Sequence, residues 1–112
     1  MEERELNIGN WYNYLGRPTR IKNRTELYKA IEDAKNEALT PIPLDEAWLR
    51  DFEFEKAQNG WWDKHEIFQI IYEDGIFLAY WHGAILCKLE YVHRLQNLYY
   101  ELSDEELIRK QK

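Results

Sequence analysis

The most constraining feature of the sequence is a series of apolar segments separated by residue pairs that favour tight turns. Asp74-Gly75 divides two such segments, and His82-Gly83 divides the second from a third. An Asp-Gly pair in this setting is a strong hairpin signal, because both residues tolerate the positive φ of a type I′ turn. The pattern predicts a meander of at least three antiparallel strands across residues 66–89.

Three other segments have the apolar spacing of helices. In 25–39 apolar residues recur at intervals of four, three and four, and Thr25 is the expected N-cap. A short helix is expected from Glu46 to about Phe52, capped by Asp45. The last helix is expected over 90–102, followed by a further helical turn that starts at Ser103 and then by a frayed, charged tail.

The N-terminal part of the chain reads as a hairpin. Large and polar side chains alternate over 11–15, and residues 16–18 then favour a turn. Residues 19–22 can form a second strand that runs back along the first. Asn59-Gly60 signals one more turn before the meander. With the helices, this predicts a single α+β domain over residues 1–112, in which a small antiparallel sheet packs against two to three helices.

Composition limits the functions that the chain can have. Its formal net charge of −6 argues against broad electrostatic binding of duplex nucleic acid, which needs a basic face. Cys87 is the only cysteine, so no internal disulfide can form, and its place in a strand predicts a small buried hydrophobe. The N-terminus shows no apolar signal segment and no run approaches membrane-spanning length, so we expect a cytosolic protein without a membrane partner.

Motifs that carry catalytic or metal chemistry are not found in the sequence. There is no glycine-rich phosphate loop, nucleophile elbow or zinc-ligand spacing, and the three histidines are far apart. Capping and solvation account for the paired carboxylates at 32–33, 45–46 and 105–106. We therefore expect no catalytic residue, metal or cofactor, and a function that depends on binding another macromolecule.

Three groups of residues are candidates for that binding. Five Trp, eight Tyr and four Phe exceed what a core of this size needs, and in Trp61-Trp62 strand alternation would turn one ring to the core and the other to solvent. His93, Gln96 and Asn97 share one flank of the last helix, where they could bond a partner or neighbouring strands and loops. A basic group could touch RNA phosphates or form a charged edge strand that resists aggregation: Arg17, Arg20, Lys22 and Arg24. If 19–22 is a strand, Arg20 and Lys22 share a face.

Three stretches of the sequence form motifs that resemble those of one protein family. Residues 41–49 (PIPLDEAWL), with Phe52 and Phe54, resemble a PIPLTEEWL segment. Residues 91–99 (YVHRLQNLY) and the following 102–107 resemble a YVHQLQNLYFALTGEEL ending, and residues 8–10 resemble an IGN opening. The family that these motifs resemble is a small one found in Bacteroidota phages, prophages and related mobile elements. Arg94 replaces a Gln of that family, Glu53 stands where a Gly is common, and Ser103-Asp104 replaces Thr-Gly.

The resemblance implies a function in a mobile element. The family looks like the source of an inhibitor of type VI-B CRISPR RNA-guided ribonucleases, so the implied partner is a host effector nuclease with or without its guide RNA. Acidic residues could compete for the basic guide-RNA channel of such a nuclease: Asp45, Glu46, Asp51 and Glu53. The alternative is a non-enzymatic nucleic-acid-binding or phage accessory protein, and the oligomeric state is left open.

Overall fold

Tight hairpin turns define the strand pairing of the protein. The computed structural model describes residues 6–65 and 67–110. Three two-residue turns have positive φ at both positions, the geometry of a type I′ turn: Leu15-Gly16, Asp74-Gly75 and His82-Gly83. Glu66, where the predicted meander begins, lies outside the described residues, as do residues 1–5 and 111–112.

The described elements make an α+β fold, as predicted. In chain order they are β1 (Trp11–Tyr14), β2 (Arg17–Arg20), α1 (Arg24–Lys35), β3 (Leu39–Thr40), α2 (Glu46–Asp51), β4 (Glu55–Lys56), β5 (Trp62–Lys64), β6 (Phe68–Glu73), β7 (Ile76–Trp81), β8 (Ala84–Leu89) and α3 (Val92–Ser103). They divide into two compact units. Unit 1 contains 6–43 and 91–106, and unit 2 contains 44–90 and 107–110.

Unit 1 is built on a three-stranded antiparallel sheet of order β2-β1-β3 with α1 and α3. Its main apolar cluster contains Leu6, Tyr12, Ile21, Ala30, Ala34 and Leu39. The N-cap of α1 is Asn23, whose Oδ1 accepts from the Glu26 N–H at 2.9 Å, so the prediction of Thr25 was wrong by two residues. The predicted extension of this helix to 39 was also wrong, because Leu39 and Thr40 pair with β1 instead.

The C-terminus of α3 ends more abruptly than expected. Asp104 is its C-cap with φ of 59°, a left-handed conformation that stops the helix, so the predicted further turn does not form. The Ser103 hydroxyl donates to the Tyr99 carbonyl at 2.7 Å, within the last turn. Burial raises the pKa of the Tyr99 hydroxyl and the Glu105 charge adds to this, while the hydrogen bond with Ser103 acts in the opposite direction.

Unit 2 is built on a five-stranded antiparallel sheet of order β4-β5-β6-β7-β8. The predicted meander forms its last three strands, and the turn signal at Asn59-Gly60 precedes β5. As predicted, Asp45 caps α2, because its carboxylate accepts from the Trp48 N–H at 3.0 Å. The β7–β8 register shifts at a bulge next to Ala79 and Tyr80, where Leu86 of β8 has no partner in register.

The side-chain amide of Gln96 fastens α3 to the segment that enters β1. Its Oε1 accepts from the Trp11 N–H at 2.9 Å, and its Nε2 donates to the Gly9 carbonyl at 2.9 Å. Asn97 adds a parallel bond, since its Oδ1 accepts from Asn10 Nδ2 at 2.9 Å. Gly9 has φ of 98°, and a Cβ at this position would collide with the Glu106 carboxylate. The segments that resemble IGN and YVHQLQN therefore meet in one group of hydrogen bonds, formed by Gln96 and Asn97 with residues 9–11, which we call the latch.

Replacing Gln96 by Leu should lower the free energy of unfolding by about 2–4 kcal/mol, because the Trp11 N–H and the Gly9 carbonyl both lose their partner. Urea denaturation measures the change. Tyr100→Ala is the control, since Tyr100 lies on the same helix with 55% of its surface exposed and should change stability by no more than about 0.5 kcal/mol. Equal destabilisation by the two variants would contradict the latch.

Candidate interaction surface

One face of the five-stranded sheet in unit 2 is a candidate interaction surface, which we call the open face. Strand register aligns one residue from every strand in a row across it: Glu55, Asp63, Gln69, Tyr80 and Ile85. A second row contains Ile71, Leu78 and Lys88, and a third contains Glu73 and Ile76. Side chains two positions apart on a strand share a face, so Trp61, just before β5, lies beside Asp63.

The open face is apolar in its middle and remains accessible. Tyr80, Ile71 and Leu78 are half-buried, while Ile85 has 59% and Ile76 has 38% of its surface exposed. The Trp61 and Tyr80 rings pack edge to face with centroids 4.8 Å apart. Large rings with an exposed apolar surround are typical anchors of protein interfaces, and a polar rim completes the pattern.

Most of the opposite face of the same sheet is covered, although Tyr72 and Cys87 on that face are exposed. The buried side chains of this face, and of α2 with its C-cap, are Trp62, Phe68, Ile70, Phe77, Ala79, Leu89, Trp48, Leu49 and Phe52. Arg50 of α2 lies 5.4 Å from the centroid of the Trp62 ring, and Lys56 lies 5.6 Å from it. The alternation predicted for the Trp pair is thus confirmed, with Trp61 toward solvent and Trp62 in the core.

Three of the residues predicted to contact a partner are buried, which corrects the prediction. Trp62 and His93 are each 1% exposed and Gln96 is 4% exposed. His93 stacks on Tyr12 with centroids 4.9 Å apart. Of the two alternatives for the helix flank, bonding to neighbouring strands and loops is therefore the one found for Gln96 and for Asn97. Helical spacing places such side chains on one flank but does not reveal what they bond.

Most of the acidic residues predicted to face a partner have contacts inside unit 2. Asp45 caps α2, and Glu46 lies 3.5 Å from both Arg50 and Lys56. Asp51 accepts from Arg109 Nε at 3.0 Å, and Arg109 also lies over the Trp48 ring. The tail that was expected to be frayed is therefore anchored at 107–110, where Leu107 is buried.

Glu53 is exposed and adopts an unusual backbone conformation. It follows α2 with φ of 66°. The Phe54 N–H donates to the Leu49 carbonyl and the Glu53 N–H donates to the Arg50 carbonyl, which is the Schellman pattern. Glycine is preferred at this position because it has no Cβ to clash in the left-handed region.

The basic group predicted from the sequence is only partly assembled. Arg17, Lys22 and Arg24 are exposed, whereas Arg20 donates to a Glu106 carboxylate oxygen at 3.2 Å. Strand β2 ends at Arg20, so the condition under which Arg20 and Lys22 would share a strand face is not met. Cys87 is exposed, not buried as expected, because β8 lies at the edge of its sheet.

Within 6–65 and 67–110, no three His, Cys, Asp or Glu side chains form a group able to hold a metal ion. None of the helices in this part of the chain combines the length and apolar character of a membrane span. The chain matches no protein-family model, no curated protein and no solved structure.

Two variants should show that the side chain of Asp45 stabilises the fold and that the side chain of Glu53 does not. Asp45→Ala should lower the free energy of unfolding by about 1 kcal/mol through loss of the α2 cap. Glu53→Gly should raise it by roughly 0.5–1 kcal/mol, because glycine relieves the left-handed strain. Chemical denaturation measures both. A loss of stability in Glu53→Gly would show that the Glu53 side chain makes a stabilising contact after all.

Proposed function

We propose that this protein is a non-enzymatic inhibitor from a phage or related mobile element, which binds a host type VI-B RNA-guided ribonuclease through the open face. The observation that carries the binding function is the apolar, accessible centre of that face, with Trp61, Tyr80 and Ile85. The choice of a nuclease target comes from the sequence resemblance at 41–49 and 91–99.

Residues with structural contacts and residues of the open face lie in different parts of the sequence, which supports the open face as the binding surface. The residues that carry the resemblance are largely structural, since Asp45 caps α2, Trp48 is buried and Gln96 forms the latch. The open face lies mostly within 63–89, where the sequence resembles the family only in general character. A common scaffold with a separate binding surface lets each member of such a family recognise its own target.

The first test is co-purification of the tagged protein with a type VI-B effector, with and without guide RNA, followed by an RNA-cleavage assay. The wild-type protein should form a complex and suppress cleavage. Ile85→Glu should weaken inhibition at least about tenfold, because it places a charge in a desolvated contact. Tyr28→Glu, at a site that is 63% exposed on α1, is the matched control and should inhibit normally.

Two outcomes would contradict the proposal. Full cleavage with no complex would remove this nuclease as the target. Normal inhibition by Ile85→Glu would remove the open face as the binding site. Dependence of the complex on guide RNA would separate a block of RNA loading from a block of the loaded enzyme.

A second candidate function is favoured by the exposed basic side chains of unit 1. Arg17, Lys22 and Arg24 lie on the surface, and none of them forms an ion pair within the described residues. On this alternative the chain binds single-stranded RNA, and binding weakens with salt because counterions are released. Arg17→Gln with Arg24→Gln should then lower retention on polyuridylate at low salt. No retention of the wild-type protein would exclude this function.

A further inference from the structure

Two carboxylates at one edge of the open face form no ion pair within the described residues, although Arg50, Lys64 and Lys110 line the same cavity. Glu55 and Asp63 are directly opposite each other in the β4–β5 register, so two negative charges share one edge of the face. Neither forms an ion pair in the described chain, and the Asp63 carboxylate accepts only from Gln69 Nε2, at 2.7 Å. Like charges placed opposite each other destabilise a strand pair.

Strand alternation explains why the lysines on the same two strands form no ion pair with Glu55 or Asp63. Lys56 and Lys64 occupy the same two strands but belong to the covered face. Lys56 lies by the Trp62 ring and Glu46, and Lys64 donates to the Phe52 carbonyl at 2.9 Å and lies over the Phe54 ring. Neither lysine therefore pairs with the two carboxylates of the open face.

We infer that the open face binds a basic amphipathic helix of the protein partner. Apolar side chains of that helix cover Trp61, Tyr80 and Ile85, and a Lys or Arg side chain lies between Glu55 and Asp63. Adjacent strands are about 4.8 Å apart, so Asp63 and Tyr80 are separated by roughly 10 Å. Two residues seven apart on a helix span about the same distance, which lets one helix reach both.

The charges also exclude nucleic acid as the occupant of this face. Stacking platforms for single strands combine exposed rings with a positive groove that follows the phosphates. Here the rings are flanked by Glu55 and Asp63 at one edge and Glu73 in the third row, with Lys88 as the one base among the rows of the open face. Phosphates would be repelled, whereas a basic helix supplies the missing charge.

The inference rests on the proposed function only in requiring a protein partner, so it is tested without the nuclease. The probe is an 18-residue helical peptide of Leu and Lys, compared with versions that carry Gln or Glu in place of Lys. Calorimetry at 50 and 300 mM NaCl gives the affinities. The Lys peptide should bind at least about tenfold more tightly than the Gln peptide, with a smaller advantage at high salt.

The variant Glu55→Gln with Asp63→Asn should remove that advantage. It should not lower the thermal stability of the protein, because the pair is repulsive and the new amide oxygen at position 63 can still accept from Gln69. The control variant Glu37→Gln with Glu101→Gln has the same change in net charge at two exposed carboxylates of unit 1, and should bind like the wild type.

Three results would overturn the inference. These are equal binding of the Lys and Gln peptides, an equal loss of affinity in both double variants, and binding of no peptide at all. None of them bears on the inhibitor proposal, which the cleavage assay decides. Conversely, a failed cleavage assay with charge-selective peptide binding would leave the basic-helix site in place and remove only the nuclease.

Discussion

The register of the strands in unit 2 is the constraint on which its two faces depend. Because side chains alternate along a strand, a slip of one residue would exchange the covered and open sets on every strand it affected. The two-residue turns at Asp74-Gly75 and His82-Gly83 set the pairing of β6, β7 and the first residues of β8, since their type I′ geometry fixes which residues next to the turn are opposite each other. In β5, the pairing of Trp62 with Ile70 belongs to the covered face, which leaves Trp61 toward solvent.

Unit 1 depends in addition on one side-chain amide, which joins α3 to the segment that enters β1. Gln96 satisfies a backbone donor and a backbone acceptor on the segment around Gly9 and Trp11. A hydrocarbon side chain of the same size would fill the space but leave both groups unpaired. Buried polar groups of this kind fix one arrangement of the chain at the cost of tolerance to substitution.

The sequence predicts the local features well and the tertiary ones less well. The hairpins and the Asp45 cap were predictable because their signals are complete within a few residues. Asn23 and Thr25 are both good caps, so local sequence could not choose between them. Leu39 leaves the helical pattern because it pairs with Tyr14, a contact that no local window contains.

The candidate surface was harder to predict for a related reason. Each of the long strands carries apolar residues on both of its faces, as Phe77 and Leu78 do on β7. Periodicity then identifies a strand without saying which face is covered. The Trp61-Trp62 pair showed that one ring would be exposed, but only the packing of α2 shows which one. The partners of Gln96 and Asn97 were undetermined for the same reason, since spacing gives direction and not contact.

The bulge in β8 sets the polarity of the end of that strand. If β8 had no extra residue, the pairing that starts at the His82-Gly83 turn would continue without a shift. Cys87 would then pair with Leu78, and Leu89 would lie opposite Ile76 on the open face. Leu86 shifts the count by one, so Leu89 pairs with Phe77 in the core and Lys88 with Leu78 on the open face. A single inserted residue thus determines which side chains the second half of β8 places on the open face. Loss of that residue would exchange the two faces at residues 87–89 without changing any other amino acid.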